Sequence, residues 1–243
     1  MISYKSLIAR RKLLKLGAVV FGTGVASKVI DASAKPAKAK ETIIALGKLD
    51  HNSTPDEVLE ALVEGNKRFV ENRPEAPNQD YVRLREVSTA QKPLVSILGC
   101  ADSRVPIEII FDQGLGDLFV VRDAGNIATP EEIGSLEYGT VILSSKVLMV
   151  LGHENCGAVK AALQNKPLPG QMGSIVAAIQ PAIDRDNRND SREFYLETIK
   201  QNVLLQVKKL YSSPLLYDLV AEGKLKIVGA YYSLKTGEVS ILT

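Results

Sequence analysis

Leu94-Val95-Ser96-Ile97-Leu98-Gly99-Cys100-Ala101-Asp102-Ser103-Arg104 is the stretch that decides the fold. A short, mostly apolar run ends at Gly99-Cys100 and breaks into a polar turn. That is the pattern of a strand covered on both faces in a parallel sheet, where continuous apolar runs replace alternation. Leu118-Phe119-Val120-Val121 repeats it, and so does Val147-Leu148-Met149-Val150-Leu151, which runs into Gly152-His153-Glu154-Asn155-Cys156-Gly157. Between these runs the spacing predicts helices over Glu131 to Leu143 and from Cys156 to about Leu163. Further on, Tyr195, Ile199, Val203 and Val207 stand four apart on a long helix. Leu225 to Tyr232 reads as a fourth strand and Val239-Ser240-Ile241-Leu242 as an antiparallel edge. Upstream, Thr54-Pro55-Asp56-Glu57 forms a capping box that opens a helix carrying Val58, Leu62 and Phe69. The expected fold is α/β: a mostly parallel central sheet of about four strands plus an antiparallel edge strand, with helices on both faces. In such sheets sites form beyond the carboxyl ends of strands, where Cys100 and His153 stand.

The 243 residues suit one large domain with a short accessory segment. The hydrophobic content of 45% and charged content of 24% exclude long disorder and low complexity. With aromatics at 5% and no Trp, stacking platforms for single-stranded nucleic acid are disfavoured. Two Cys and two His exclude a disulfide-stapled scaffold and multi-cluster metal sites. The net charge of +2 is uneven: residues 1–34 hold six basic residues against Asp31, so the rest of the chain is net acidic. No nucleic-acid partner is expected once that end is set aside.

Residues 1–34 read as a signal peptide. Arg10-Arg11-Lys12-Leu13-Leu14-Lys15 precedes the uncharged run Leu16 to Ala26, and Ala32-Ser33-Ala34 fits a cleavage site. The apolar run is too short to span a bilayer. The paired arginines resemble a twin-arginine export signal, with Ala9 and Leu13 where Ser and Phe are usual. The expectation is an exported, periplasmic protein that meets the membrane only transiently, during export. Residues 35–50 read as a linker and 51–243 as the folded domain.

Both cysteines and one histidine fall beyond strand ends. Two thiolates and an imidazole suit zinc, and three ligands leave a fourth position open, as catalytic sites do. Taken alone, the spacing also permits two unrelated buried thiols or a redox pair. Asp102 and Arg104, two apart on a turn, form either a surface ion pair or a carboxylate held ionised beside a metal-bound water. His51, in the polar stretch Asp50-His51-Asn52, reads as a surface residue.

Together, Gly99-Cys100-Ala101-Asp102-Ser103-Arg104-Val105-Pro106 and Gly152-His153 with Cys156-Gly157-Ala158 resemble the two motifs of the β-class carbonic anhydrases. Gly116 to Arg122, Ala124-Gly125-Asn126 and Glu137-Tyr138-Gly139 are similar to further family motifs. The resemblance covers about Thr54 to Leu242. It implies one Zn2+ per subunit on Cys100, His153 and Cys156, with Asp102–Arg104 as a catalytic dyad. It implies reversible hydration of CO2 to bicarbonate and a proton by a zinc-bound hydroxide. Gln91, nine before Cys100, would donate to a substrate oxygen. Phe119, Tyr138 and the backbone at Gly157 would line a narrow apolar pocket. Some relatives let the Asp bind zinc as a fourth ligand in a closed form, and Asp102 stands at that position. The family's basic unit is a dimer whose N-terminal helices typically wrap the partner, which implies a homodimer or a tetramer here. A CS2 or COS hydrolase and a noncatalytic zinc-binding relative share the ligand set. Glu154, Asp123 and Ile97 depart from common family residues; Ile97 replaces the Trp of a noncatalytic bicarbonate site.

Overall fold

The computed structural model describes residues 45–242. The signal-peptide assignment and the first part of the linker lie outside those residues. The domain begins before residue 51, because Leu46, in a 3-10 turn over Leu46–Lys48, is buried in the core.

Five strands form one sheet in the order β2-β1-β3-β4-β5. They are β1 (Val95–Cys100), β2 (Leu118–Asp123), β3 (Val147–His153), β4 (Lys226–Tyr232) and β5 (Val239–Ile241). The first four run parallel and β5 is antiparallel to β4, as the sequence suggests. Every residue of β1 and β3 is buried, which is why their sequences are apolar without alternation. The chain leaves β1 for β2 on one side, and β3 flanks β1 on the other. The crevice between their carboxyl ends is therefore a topological switch point, where open α/β sheets bind ligands.

Helices cover both faces. On one side α1 (Pro55–Val70) and α3 (Ile107–Ile110) pack on Val95, Ile97, Met149 and Val228. The Thr54 hydroxyl accepts from the Glu57 amide and the Glu57 carboxylate accepts from the Thr54 amide, closing the expected capping box of α1. Gly65 lets α1 approach α3 closely, since a Cβ there would lie 2.0 Å from the Phe111 carbonyl oxygen. The buried Asn66 amide donates to Ile110 and Gly237 carbonyls and accepts from Val239, tying α1 to the last hairpin.

The opposite face carries α4 (Pro130–Glu137), α5 (Gly157–Gln164), α6 (Met172–Ile179), α7 (Arg192–Leu210) and α8 (Pro214–Ala221). A short α2 (Tyr81–Glu86) lies between α1 and β1 in the chain. The helix expected over Glu131 to Leu143 is not uniform: α4 stops at Glu137, and Tyr138–Ile142 continue as a π-helical turn. The chain is crowded there, because a Cβ on Gly139 would lie 2.5 Å from Ser96 Oγ and 2.8 Å from the Phe119 ring. Wider winding is the local solution.

Candidate metal centre

Cys100 ends β1 and His153 ends β3, so parallel pairing sets them side by side. Glu154 and Asn155 follow, and Asn155 takes the left-handed conformation (φ 56°) that Asn tolerates. That tight turn brings Cys156 back as the N-cap of α5. The ligand atoms of Cys100, His153 and Cys156 all lie within 4.8 Å of one another, and all three residues are buried. Both cysteines are free thiols, which removes the disulfide of the redox reading.

The His153 ring has a defined tautomer. Nδ1 lies 2.9 Å from the Glu154 carbonyl and donates to it, so Nε2 carries the bare lone pair. That buried Nε2 has no hydrogen-bond partner among the described residues. An unsatisfied buried acceptor is costly, and a metal ligand is the usual reason for one. Two soft sulfurs and one imidazole nitrogen are the donor set zinc takes, with a fourth position left over. The residues present fit the ion. Cys100 is the more acidic thiol: the Cys156 thiol and the Gly125 amide both favour its thiolate against burial. Cys156 is pushed up in turn by its bond to Cys100 and by burial.

Asp102 and Arg104 form a bidentate pair beside this cluster. Asp102 Oδ1 accepts from Arg104 Nε and from the Arg104 backbone amide, each at 2.9 Å, and Oδ2 accepts from Nη2 at 2.8 Å. The Arg104 guanidinium holds the Asp102 carboxyl well below the usual carboxylate range. Asp102 Oδ2 is 3.9 Å from His153 Nε2, so the ionised oxygen faces the donors. Arg122 fixes the turn, donating to the Cys100 carbonyl at 2.9 Å and to the Asp102 carbonyl at 2.8 Å. Sequence reasoning grouped Arg122 with a motif and gave it no task.

Two departures from family residues are resolved into contacts. Glu154 is buried, with Oε1 2.8 Å from Arg192 Nη2 of α7. Asp123 pairs with Cys100 in register; its Oδ1 accepts from the Ile127 amide while Oδ2 has no partner among the described residues. Burial, with help from the Glu132 and Cys100 charges, pushes the Asp123 carboxyl up to about 7.

Gly157 opens α5 directly after Cys156, with clear space where a side chain would project. Phe119 and Tyr138 do not join it within one chain. Phe119 pairs with Ser96, four residues before Cys100, which is about 13 Å along a strand. The Tyr138 ring lies with it, centroids 6.2 Å apart. Gln91, exposed and ahead of β1, is at that same amino end. His51 is not plainly on the surface: its Nδ1 donates to the Ser144 carbonyl at 3.1 Å, and it is half-buried.

A Cys2His donor set at the switch point of a parallel sheet, with an ion-paired carboxylate beside it, defines an α/β protein with a site that fits a catalytic metal. The carbonic anhydrase family profile matches residues 95–239. Carbonic anhydrase 2 of Mycobacterium tuberculosis is 40% identical over 193 residues, covering 76% of this chain and 92% of that protein. Among solved structures, a Coccomyxa β-carbonic anhydrase in complex with acetazolamide superposes with a TM-score of 0.62 at 29% identity, covering 76% of this chain and 86% of that one. A β-carbonic anhydrase from Sordaria macrospora, described as tetrameric, gives 0.62 at 25% identity over 65% and 85%. The chain belongs to the β-class carbonic anhydrases, an enzyme family whose general reaction is CO2 hydration.

Proposed function

We propose that this chain catalyses reversible hydration of CO2 to bicarbonate and a proton, with one zinc ion per subunit on Cys100, His153 and Cys156. The observation that carries this reading is the convergence of three buried donors, one with a bare lone pair, beside the Asp102–Arg104 pair.

Zinc, when bound, supplies Lewis acidity that brings the pKa of a water at the open position down from about 15.7 towards neutrality. The chain's residues do the rest. Cys100 and Cys156 contribute more negative charge than imidazoles would, so the acidification is weaker than in an all-histidine site. Asp102 stays ionised on Arg104 and accepts one hydrogen of the attacking water, so that its lone pair faces CO2. Both Asp102 oxygens are engaged by Arg104. That favours an Asp102 that orients water over one that serves as fourth ligand.

Gln91, Phe119 and Tyr138 take part from a second copy of the chain. They sit at the amino end of the sheet, remote from their own chain's donors. Tyr138 and Ile142 expose apolar surface there. A homodimer that sets this end against the partner's carboxyl end gives each metal centre an apolar wall and a Gln91 amide for the substrate oxygen, opposite Gly157. Dimers pairing into a tetramer are compatible with the same contact.

The test is zinc analysis of untreated protein with stopped-flow CO2 hydration. The expected result is stoichiometric zinc and a rate that falls about 10²-fold in Asp102→Asn, the scale of a positioned proton acceptor. Zinc-loaded protein inactive on CO2 at neutral and mildly alkaline pH would instead support a CS2 or COS hydrolase or a noncatalytic relative. Export rests on Arg10-Arg11 and the apolar run after them; recovery of the intact chain only in cytosol would refute it.

A further inference from the structure

One face of α7 bonds to residues that support each of the three donors. Arg192 reaches Glu154 beside His153. The Tyr195 hydroxyl donates to the Cys156 carbonyl at 2.7 Å. The Asn202 side-chain amide donates to the Gly125 carbonyl at 2.9 Å. These positions follow one another at helical spacing, so a single element braces the supports of all three donors.

The Asn202 contact is the one that leads to a donor atom. The Gly125 amide points at Cys100 Sγ, 3.3 Å away. Gly125 holds φ at +92°, and a Cβ there would lie 2.8 Å from Ile179 Cδ1 and 3.0 Å from the Ala158 Cβ. Only glycine fits, and glycine carries the least conformational restraint of its own. The direction of that amide must therefore be fixed from outside. Asn202 grips the Gly125 carbonyl, and Gln206 holds Asn202 in turn, its Nε2 donating to Asn202 Oδ1 at 2.8 Å. Gln206 Oε1 accepts from the Ala128 amide at 3.0 Å, closing the loop from the far side.

Both side chains are almost wholly buried, Asn202 at 1% exposure and Gln206 at 0%. They interrupt an apolar stripe formed by Ile199, Val203, Val207 and Leu210. Primary amides in such a place cost free energy unless their bonds are made, and a network of this kind specifies one arrangement. Nothing in core packing requires amides there; the aimed Gly125 amide does.

We propose that Asn202 and Gln206 are positioning residues that hold the Gly125 N–H on the Cys100 sulfur and so set how tightly the centre retains zinc. Outer-sphere partners of metal ligands act this way, by orienting the ligand and tuning its charge. The inference rests on the zinc reading above.

The test compares Asn202→Asp, which keeps the size and the acceptor but cannot donate to Gly125, with Gln206→Glu, which still accepts from Ala128 but cannot donate to Asn202. Leu210→Ala, one turn along the same stripe, serves as control for destabilisation alone. Zinc affinity is read by competition with a chromophoric chelator, and the thiolate-to-metal absorption of the cobalt-substituted protein reports on the Cys100 bond. The expected result is zinc held about 10–100-fold more weakly in both amide variants, with a shifted cobalt band. Leu210→Ala should melt earlier yet keep wild-type affinity and spectrum. Unchanged affinity and an unshifted band in folded Asn202→Asp would overturn the proposal alone. Loss of affinity in Leu210→Ala equal to that in the amide variants would also overturn it, as a mere stability effect. Wild-type protein that retains no zinc would overturn the zinc reading, and this inference with it.

Discussion

The two ends of the sheet are built on opposite plans. At the carboxyl end, residues from β1, β3 and α7 close a polar centre inside one chain, with its donors buried and their supports hydrogen-bonded. At the amino end, the Phe119 and Tyr138 rings lie tilted with centroids 6.2 Å apart, and Ile142 and Gln91 are exposed. One end is finished by its own sequence. The other leaves Tyr138, Ile142 and Gln91 exposed, and in the dimer proposed above a neighbour covers them.

The sharpest way to break this comparison is to remove a donor. Cys156→Ser should abolish stoichiometric zinc and bring CO2 hydration to the uncatalysed rate, by metal analysis and stopped flow. Retained zinc with retained activity would mean that the ion is held elsewhere.

A second substitution separates charge used for folding from charge used for chemistry. Asp112, just before β2, is buried and accepts from Arg68 and from the Glu75 and Ala76 amides. Burial pushes its carboxyl up, but the Glu75 amide, Arg68 and the Ala76 amide outweigh it, and the group lies below the usual range. A depressed folded-state pKa adds stability above the unfolded value near pH 4 that is lost as pH falls below it. Asp112→Ala should cost about 1–3 kcal/mol by urea unfolding at pH 7, because it leaves a half-buried guanidinium and two backbone amides without their acceptor. The penalty should shrink in acid, while activity per folded, zinc-loaded molecule stays that of wild type.

Mixing tests whether the amino end works in the partner's site. Cys156→Ser and Gln91→Ala chains, each impaired alone, should together recover about a quarter of the wild-type rate, since half the dimers are mixed and carry one intact site of two. Failure to recover would place Gln91 in its own subunit's site or in none.

The smallest effect has the opposite pH sign to that of Asp112. The Asp123 carboxyl titrates near 7 because burial disfavours its charge. A raised folded-state pKa means that stability falls from about pH 4 to 7 and levels off above. In metal-stripped protein, Asp123→Asn should melt about 2–4 °C higher at pH 8, the scale of ~1 kcal/mol for a domain this size. It should melt nearly with wild type at pH 4. No difference at pH 8 would show that Asp123 is not strained by burial.

What was legible in the sequence was local. The strands Val95–Cys100 and Val147–His153, the Thr54 capping box and the long helix carrying Tyr195 to Val207 are each written in neighbouring residues. The Cys-Asp-Arg and His-Cys spacings marked the donors for the same reason. Placement across the sheet was not legible. That Phe119 sits level with Ser96, about 13 Å along the strand from Cys100, with the Tyr138 ring beside it, follows from register and strand order, which no local pattern encodes. The π-turn at Tyr138–Ile142 reflects Gly139 meeting Ser96 and Phe119, a contact between distant segments. Asn202 and Gln206 did leave a signal, as polar interruptions of an apolar helical stripe, but amides in such stripes also cap and kink helices. Their purpose appeared only with Gly125 opposite.

The Asn66 side chain has a consequence for how the polypeptide is made. It bonds at once to α1's neighbour Ile110 and to Gly237 and Val239 near the end of the chain. A ribosome delivers residue 66 long before residue 239, so the first helix leaves the exit tunnel with its clasp still unsynthesised. The sheet-facing side of that helix stays an uncovered apolar surface through most of elongation, and a chain cut before Gly237 would lack both the carbonyl and the amide that close the clasp.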